Sequence, residues 1–204
     1  MDTSTIAQLL EPYIQLDEQR LAAISKYIDL LLKWNARMNL TAIRGPEEMV
    51  QRHFGESFFA ANHVLSQGRA KKIIDLGSGA GFPGVPFAMM ASEAEVTLIE
   101  SNQKKATFLR ELIFLLGLKN TKAFVGRGES YTQTADVVTM RAVESFAKAL
   151  PLVVQLAEPE GRVVLMISSA QVAEALGLEE KVEWSKPIAM PDGHSRVLLI
   201  GKNK

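Results

Sequence analysis

One segment constrains the fold of this 204-residue chain more than any other: Ile74-Asp75-Leu76-Gly77-Ser78-Gly79-Ala80-Gly81-Phe82-Pro83-Gly84. It follows an apolar run, Lys72-Ile73-Ile74-Asp75-Leu76, that reads as a short buried strand, and it leads into an apolar helix through Met89. Glycines at this spacing permit a tight turn and let a ligand approach the backbone closely. A strand, a glycine turn and a helix in this order form the opening unit of an α/β sheet. In such sheets ligands sit at the C-terminal ends of the strands.

The alternation continues to the end of the chain. Residues 96–100 read as a second strand, and Gln103–Leu116 as a helix stopped by Gly117. Residues 123–125 and 136–140 read as strands. Residues 143–157 read as helical, with Pro151 kinking the helix or starting a second one. Glu158-Pro159-Glu160-Gly161 reads as a turn, and 162–167 and 196–200 as strands. Residues 1–70 lack this rhythm. Ile6, Leu9, Leu10, Tyr13 and Ile14 suggest a short helix. Leu21, Ile24, Ile28, Leu31 and Leu32 recur at helical spacing behind a capping Asp17, and Pro46 stands at a third helix start. The expected architecture is a small helical N-terminal region, 1–70, before a Rossmann-like α/β domain, 71–204, with a mainly parallel sheet covered on both faces.

Composition removes several classes of function. Lys+Arg and Asp+Glu are both 23, so a strongly basic nucleic-acid coat and an acidic tail are excluded, though a local basic patch is not. Absence of cysteine excludes a disulfide scaffold, a cysteine zinc site, an iron–sulfur cluster and a cysteine nucleophile. His53, His63 and His194 are too scattered for a metal site, and none is expected. No apolar run has the length of a membrane span, and the N-terminus lacks a signal-peptide pattern, so a cytoplasmic location is expected.

Glu100, at the end of the second strand, can accept both hydroxyls of a ribose, which points to a nucleoside-bearing cofactor. Residues 79–84 match G-x-G-x-x-G with Glu100 at about the right distance for a dinucleotide. The register is poor, however, because the strand ends at Asp75-Leu76-Gly77, ahead of that match. Asp-x-Gly-x-Gly-x-Gly beginning on the strand is the arrangement of methyltransferases that use S-adenosylmethionine. That cofactor has no pyrophosphate. It carries a sulfonium, an ammonium and a carboxylate, and an acid at the first turn suits this mixed charge. Asp75 could serve the site or merely brace the turn.

Further motifs carry a resemblance across nearly the whole chain. They are Leu32-Lys33-Trp34-Asn35 with Asn39-Leu40-Thr41 and Arg44; His53-Phe54-Gly55-Glu56-Ser57; the glycine turn itself; Glu100-Ser101 with Lys104, Phe108, Leu109 and Arg110; and Asp136-Val137-Val138-Thr139-Met140-Arg141-Ala142. Together they resemble the glucose-inhibited division protein B family, bacterial 16S rRNA guanine-N7 methyltransferases. The resemblance implies a seven-stranded sheet whose last strand is antiparallel. It implies S-adenosylmethionine as cofactor, with Gly77 and Phe82 at the methionine end and the turn, Glu100 on the ribose, Gly128 and Glu129 bordering the adenine, and Arg141 facing the substrate side. The implied substrate is a guanine in the decoding region of 16S rRNA in the small ribosomal subunit, methylated by a monomer with no role for DNA or membrane. Three positions depart from the family pattern. Glu56 replaces an aspartate, Leu165-Met166-Ile167-Ser168 lacks a lysine, and Arg196 in Asp192-Gly193-His194-Ser195-Arg196 is displaced by one.

The implied chemistry agrees with what is missing. Guanine N7 has an exposed lone pair and no proton, so aligned displacement needs no general base. The chain has no Asn/Asp-Pro-Pro-Tyr/Phe motif for exocyclic amines and no cysteine for attack on pyrimidine C6. Arg37, Arg44, Arg52, Lys104, Lys105 and Arg110 are the candidate phosphate contacts. Trp34, Asn35, Asn39 and Thr41 either touch RNA or serve packing and capping. The alternatives are a methyltransferase acting on another RNA or a small molecule, a dinucleotide-dependent oxidoreductase, and a non-catalytic ribosome-binding protein.

Overall fold

The computed structural model describes residues 1–143, 145–178, 180–191 and 195–204. Asp192, Gly193 and His194 of the displaced arginine run lie outside the described residues. Helices α1 (Thr3–Leu10), α2 (Glu18–Asn35), α3 (Pro46–Met49) and α4 (Glu56–Ser66) precede the sheet. Asp17 caps α2 by accepting from Arg20 N at 2.8 Å. A π-helical turn, Val50–Gly55, joins α3 to α4. The alternation then runs β1 (Lys72–Leu76), α5 (Gly84–Met90), β2 (Glu95–Glu100), α6 (Gln103–Leu116), β3 (Thr121–Val125), β4 (Ala135–Arg141), α7 (Phe146–Leu156) and β5 (Ala157–Ser168). After β5 come α8 (Val172–Leu176), β6 (Val182–Trp184), β7 (Ile188–Ala189) and β8 (Arg196–Asn203).

Strand order is β3-β2-β1-β4-β5-β8-β6, with β7 pairing to β8. The first five strands are mutually parallel and β8 runs antiparallel to β5. The sheet has eight strands rather than the expected seven, because the two-residue β7 adds itself beside β8. Pro151 lies inside a single helix rather than between two. Residues 158–161 belong to β5 and loop out opposite Asp136, as Ala135 pairs with Ala157 but Val137 with Arg162.

Two-residue alternation sorts side chains between two cores. Ile73, Leu98, Val137 and Val164 face α2, α4, α5 and α6 in one cluster. Ile74, Ile99, Val138 and Leu165 face α7 in the other. The helices of residues 1–70 join the first cluster, where Ile6, Tyr27, Phe54 and Phe58 bury themselves with Val85, Phe87 and Phe108. The N-terminal region therefore presses directly on the glycine turn, and the Tyr27 hydroxyl donates to Ala80 O.

Candidate functional site

The turn between β1 and α5 is held from below and from the side. Gly77, Gly79 and Gly81 take φ of +73°, +57° and +94°, a left-handed region costly for residues with a Cβ. Gly77 N and Ser78 N both donate to Ile99 O, at 2.9 and 3.0 Å, which fastens the turn to β2. Asp75 is fully buried beneath it. Its Oδ1 accepts from Thr139 Oγ1 at 2.7 Å and its Oδ2 from Gly84 N at 3.0 Å. Asp75 thus braces the turn, and a Cβ at residue 84 would stand 2.6 Å from its Oδ2.

Burial pushes the Asp75 carboxyl up to about 6, against the pull of its hydrogen bonds. A raised carboxyl favours folding while it is protonated. Its contribution is therefore complete below the unfolded value near 3.8 and is lost as pH rises through about 6. Asparagine can keep both contacts, donating to Thr139 and accepting from Gly84. Urea unfolding of the native chain and Asp75→Asn should show their stability difference moving against the native chain by on the order of 2 kcal/mol between pH 4 and pH 7. A difference independent of pH would contradict the assignment.

Glu100 stands at the end of β2, 6% exposed. Its Oε2 accepts from Gly79 N at 2.9 Å and its Oε1 from Asn102 N at 2.7 Å. The carboxylate therefore links the glycine turn to the loop that starts α6, with further lone pairs still available. Beside it, across the C-terminal ends of β1 to β4, opens a cleft of ≈ 390 Å³ lined among others by Leu76, Gly77, Ile99, Gly128, Glu129 and Leu152. That volume lies within the range of small-molecule sites. Gly128 is buried so closely that a Cβ would meet Leu76 Cδ1 at 2.5 Å and Leu152 Cδ2 at 2.7 Å, whereas Glu129 is exposed.

Of the six expected cofactor residues, Gly77, Gly128 and Glu129 line this cleft and Glu100 anchors the turn next to it. Phe82 occupies a different setting. Its ring is buried between Tyr27, stacked at 5.1 Å, and His53, stacked at 4.8 Å, with Phe54 edge-on at 4.9 Å. It forms the floor under the turn rather than a wall of the cleft, because α2 and the π-helical turn close over it.

Arg141 leaves β4 beside the residue after β1, since Leu76 pairs with Met140. Its Nη2 donates to Glu56 Oε2 at 2.9 Å and to Arg52 O at 2.6 Å. Glu56 is fully buried, and its Oε1 accepts from Arg196 Nε at 2.7 Å. The displaced arginine thus enters a buried Arg141–Glu56–Arg196 cluster joining α4, β4 and β8. Nearby, Thr41 Oγ1 lies 2.7 Å from His53 Nε2 and accepts from Ile43 N at 3.1 Å. The threonine oxygen has two lone pairs, so beside the Ile43 N–H it can either accept from or donate to His53 Nε2. Burial, then the charges of Arg141, Arg52 and Arg196, hold the His53 imidazolium well below its usual range, so the ring is neutral.

The residues read as possible RNA contacts divide. Trp34 Nε1 donates to Glu111 Oε2 at 3.0 Å, and Asn35 Oδ1 accepts from Thr41 N at 3.0 Å. Arg44 Nη2 donates to Asn39 Oδ1 at 2.8 Å, and Arg52 Nη1 to Glu48 Oε1 at 2.7 Å. Trp34 thus ties the N-terminal region to α6, and the other contacts knit that region together. Lys104 and Lys105 begin α6, their backbone N–H groups capped by Asn102 Oδ1 at 3.0 and 3.1 Å, and Arg110 is exposed. Tyr27 and Glu56 carry roles that sequence reasoning did not assign. Tyr27 looks like an ordinary helix position, and Glu56 like a motif position of unstated role, until the sheet is assembled beside them.

The residues present fit a nucleoside-bearing cofactor. A carboxylate closes the glycine turn, and a cleft of suitable volume opens at the strand ends. A mainly parallel sheet with an antiparallel strand beyond β5, joined to this site, defines an S-adenosylmethionine-dependent methyltransferase of class I. Solved structures of this fold agree. A putative O-methyltransferase from Klebsiella pneumoniae superposes with a TM-score of 0.66 at 17% identity, over 97% of this chain and 95% of its own. The Bacillus cereus O-methyltransferase in complex with SAH gives 0.65 at 16%, over 88% and 91%.

Sequence comparison narrows the class. The model of GidB, rRNA small subunit methyltransferase G, matches residues 20–195, and the chain belongs to that family. Relatives named ribosomal RNA small subunit methyltransferase G include that of Chromobacterium violaceum, 35% identical over 87% of this chain and 86% of its own. That of Xanthomonas campestris pv. campestris is 34% identical over 92% and 90%. That of Nitrosomonas europaea is 44% identical over 65% of this chain and 61% of its own. Among the described residues no helix is long and apolar enough to cross a membrane.

Proposed function

We propose that this protein transfers the methyl group of S-adenosylmethionine to N7 of one guanine in the decoding region of 16S rRNA. The family match over residues 20–195, joined to the glycine turn and Glu100, carries this reading. We further propose that the substrate is the assembled small subunit, that the protein works as a cytoplasmic monomer, and that DNA is not a partner. A chain of zero net charge suits a folded ribonucleoprotein better than naked RNA.

The cofactor supplies a methyl group on a cationic sulfur, open to in-line attack by a lone pair. The chain's part is placement. Glu100 takes the ribose hydroxyls while it keeps its bonds to the Gly79 and Asn102 N–H groups. Gly128, packed closely on Leu76 and Leu152, and Glu129 border the adenine. Gly77 lets the methionine end run close to the backbone, and Phe82 keeps the turn in shape from below. Arg141 faces the substrate side. No residue is asked to remove a proton, because N7 carries none, and alignment supplies the acceleration.

The cofactor assignment separates this reading from a dinucleotide oxidoreductase. S-adenosylhomocysteine at a hundred times its dissociation constant should stabilise the protein by about 2.7 kcal/mol, whereas NADH should leave its melting temperature unchanged. Stabilisation by NADH alone would overturn the reading.

A further inference from the structure

Among the described residues, five buried side-chain polar atoms have no hydrogen-bond partner, and four of them belong to the π-helical turn, the start of α4 and the end of β4: Arg52 Nε, His53 Nδ1, Ser57 Oγ and Arg141 Nη1. Native proteins leave few such groups, and each calls for an explanation. Here the chemistry is one-sided. The Arg52 and Arg141 atoms are donors only, the Ser57 hydroxyl can donate, and His53 Nδ1 donates in one of its two neutral tautomers. Arg52 and His53 stand on the π-helical turn, a feature frequent at functional sites, Ser57 follows it at the start of α4, and Arg141 ends β4 beside the glycine turn. A set of buried donors at this edge is suited to an acceptor atom arriving with a ligand.

Glu56 determines which way the principal donor faces. Its Oε2 holds Arg141 Nη2, which Arg52 O also holds, so the guanidinium is fixed through one nitrogen and Nη1 is left over. Its Oε1 engages Arg196, so the carboxylate is itself held from the far side by β8. We propose that Glu56 is a positioning residue: it fixes Arg141 so that the Nη1 N–H stays available for an acceptor group of the ligand at the β1–β4 edge. This rests on the reading that places Arg141 at the reaction site. Two ligands bring such a group, the cofactor through its carboxylate and the target guanine through O6, which in the major-groove code is an acceptor beside N7.

The test uses Glu56→Gln, Arg141→Gln and the double variant, with S-adenosylhomocysteine affinity by calorimetry and steady-state methylation of small subunits. If Glu56 acts through Arg141, each single variant loses about tenfold and the double variant loses no more than Arg141→Gln alone. Loss in the calorimeter assigns the acceptor to the cofactor carboxylate. Unchanged calorimetry with an equal, non-additive fall in kcat assigns it to the guanine. Losses that add, or a Glu56→Gln protein that binds and methylates like the native chain while Arg141→Gln is impaired, overturn the proposal but leave Arg141 at the site. An Arg141→Gln protein normal in both assays overturns the placement of Arg141 as well. Should Glu56→Gln fail to fold, Glu56→Asp keeps the charge but shortens the reach between the two arginines, and the same non-additivity with Arg141→Gln is expected.

Discussion

Replacement of Glu56 with alanine is expected to lower the folding stability by about 3–5 kcal/mol. The carboxylate is fully buried, its Arg141 partner side chain is 10% exposed and its Arg196 partner 23% exposed. Removal of the acid leaves a guanidinium confined where water reaches it poorly, and that uncompensated charge carries most of the loss. The effect should appear in urea unfolding as a lower midpoint with unchanged slope. The Arg52–Glu48 pair makes a control in the same region. Its side chains are 37% and 50% exposed, so Glu48→Ala should cost no more than about 1 kcal/mol. Equal effects at the two glutamates would contradict the account of the cluster.

The second large effect concerns ligand affinity. Glu100→Ala removes the acceptor of both Gly79 N and Asn102 N, and with it the proposed anchor of the ribose. Hydrogen bonds to a charged acceptor are each worth about 1.5–3 kcal/mol, so S-adenosylhomocysteine affinity should fall roughly a hundredfold or more. The fold should persist, because the turn remains tied to Ile99 O and braced by Asp75. An affinity within about threefold of the native value would remove Glu100 from the cofactor site.

What was legible in the amino-acid sequence followed from local chemistry. The bounds of β1 at 72–76 and of α6 at 103–116 lie where apolar runs meet turn residues and Gly117 takes φ +63°. The glycine turn was legible because positive φ selects for glycine directly. What escaped was set by distant partners. Glu56 stands out in the sequence as a motif position that replaces an aspartate, but its buried role comes from Arg141 and Arg196, 85 and 140 residues away. The resemblance puts Phe82 at the methionine end and the turn. Its ring is buried because α2 and the π-helical turn dock over it, and no periodicity within residues 74–84 encodes that docking. The short elements α8, β6 and β7 were missed for another reason. Two to five residues without strong alternation carry little local signal, and the two strands take their place by pairing with β8.

The most direct measurement mixes the protein with labelled S-adenosylmethionine and small subunits that lack the modification, then digests the rRNA and identifies the labelled nucleoside. Label confined to 7-methylguanosine at a single site is the predicted result. Label in a different nucleoside, or none despite tight S-adenosylhomocysteine binding, would contradict it.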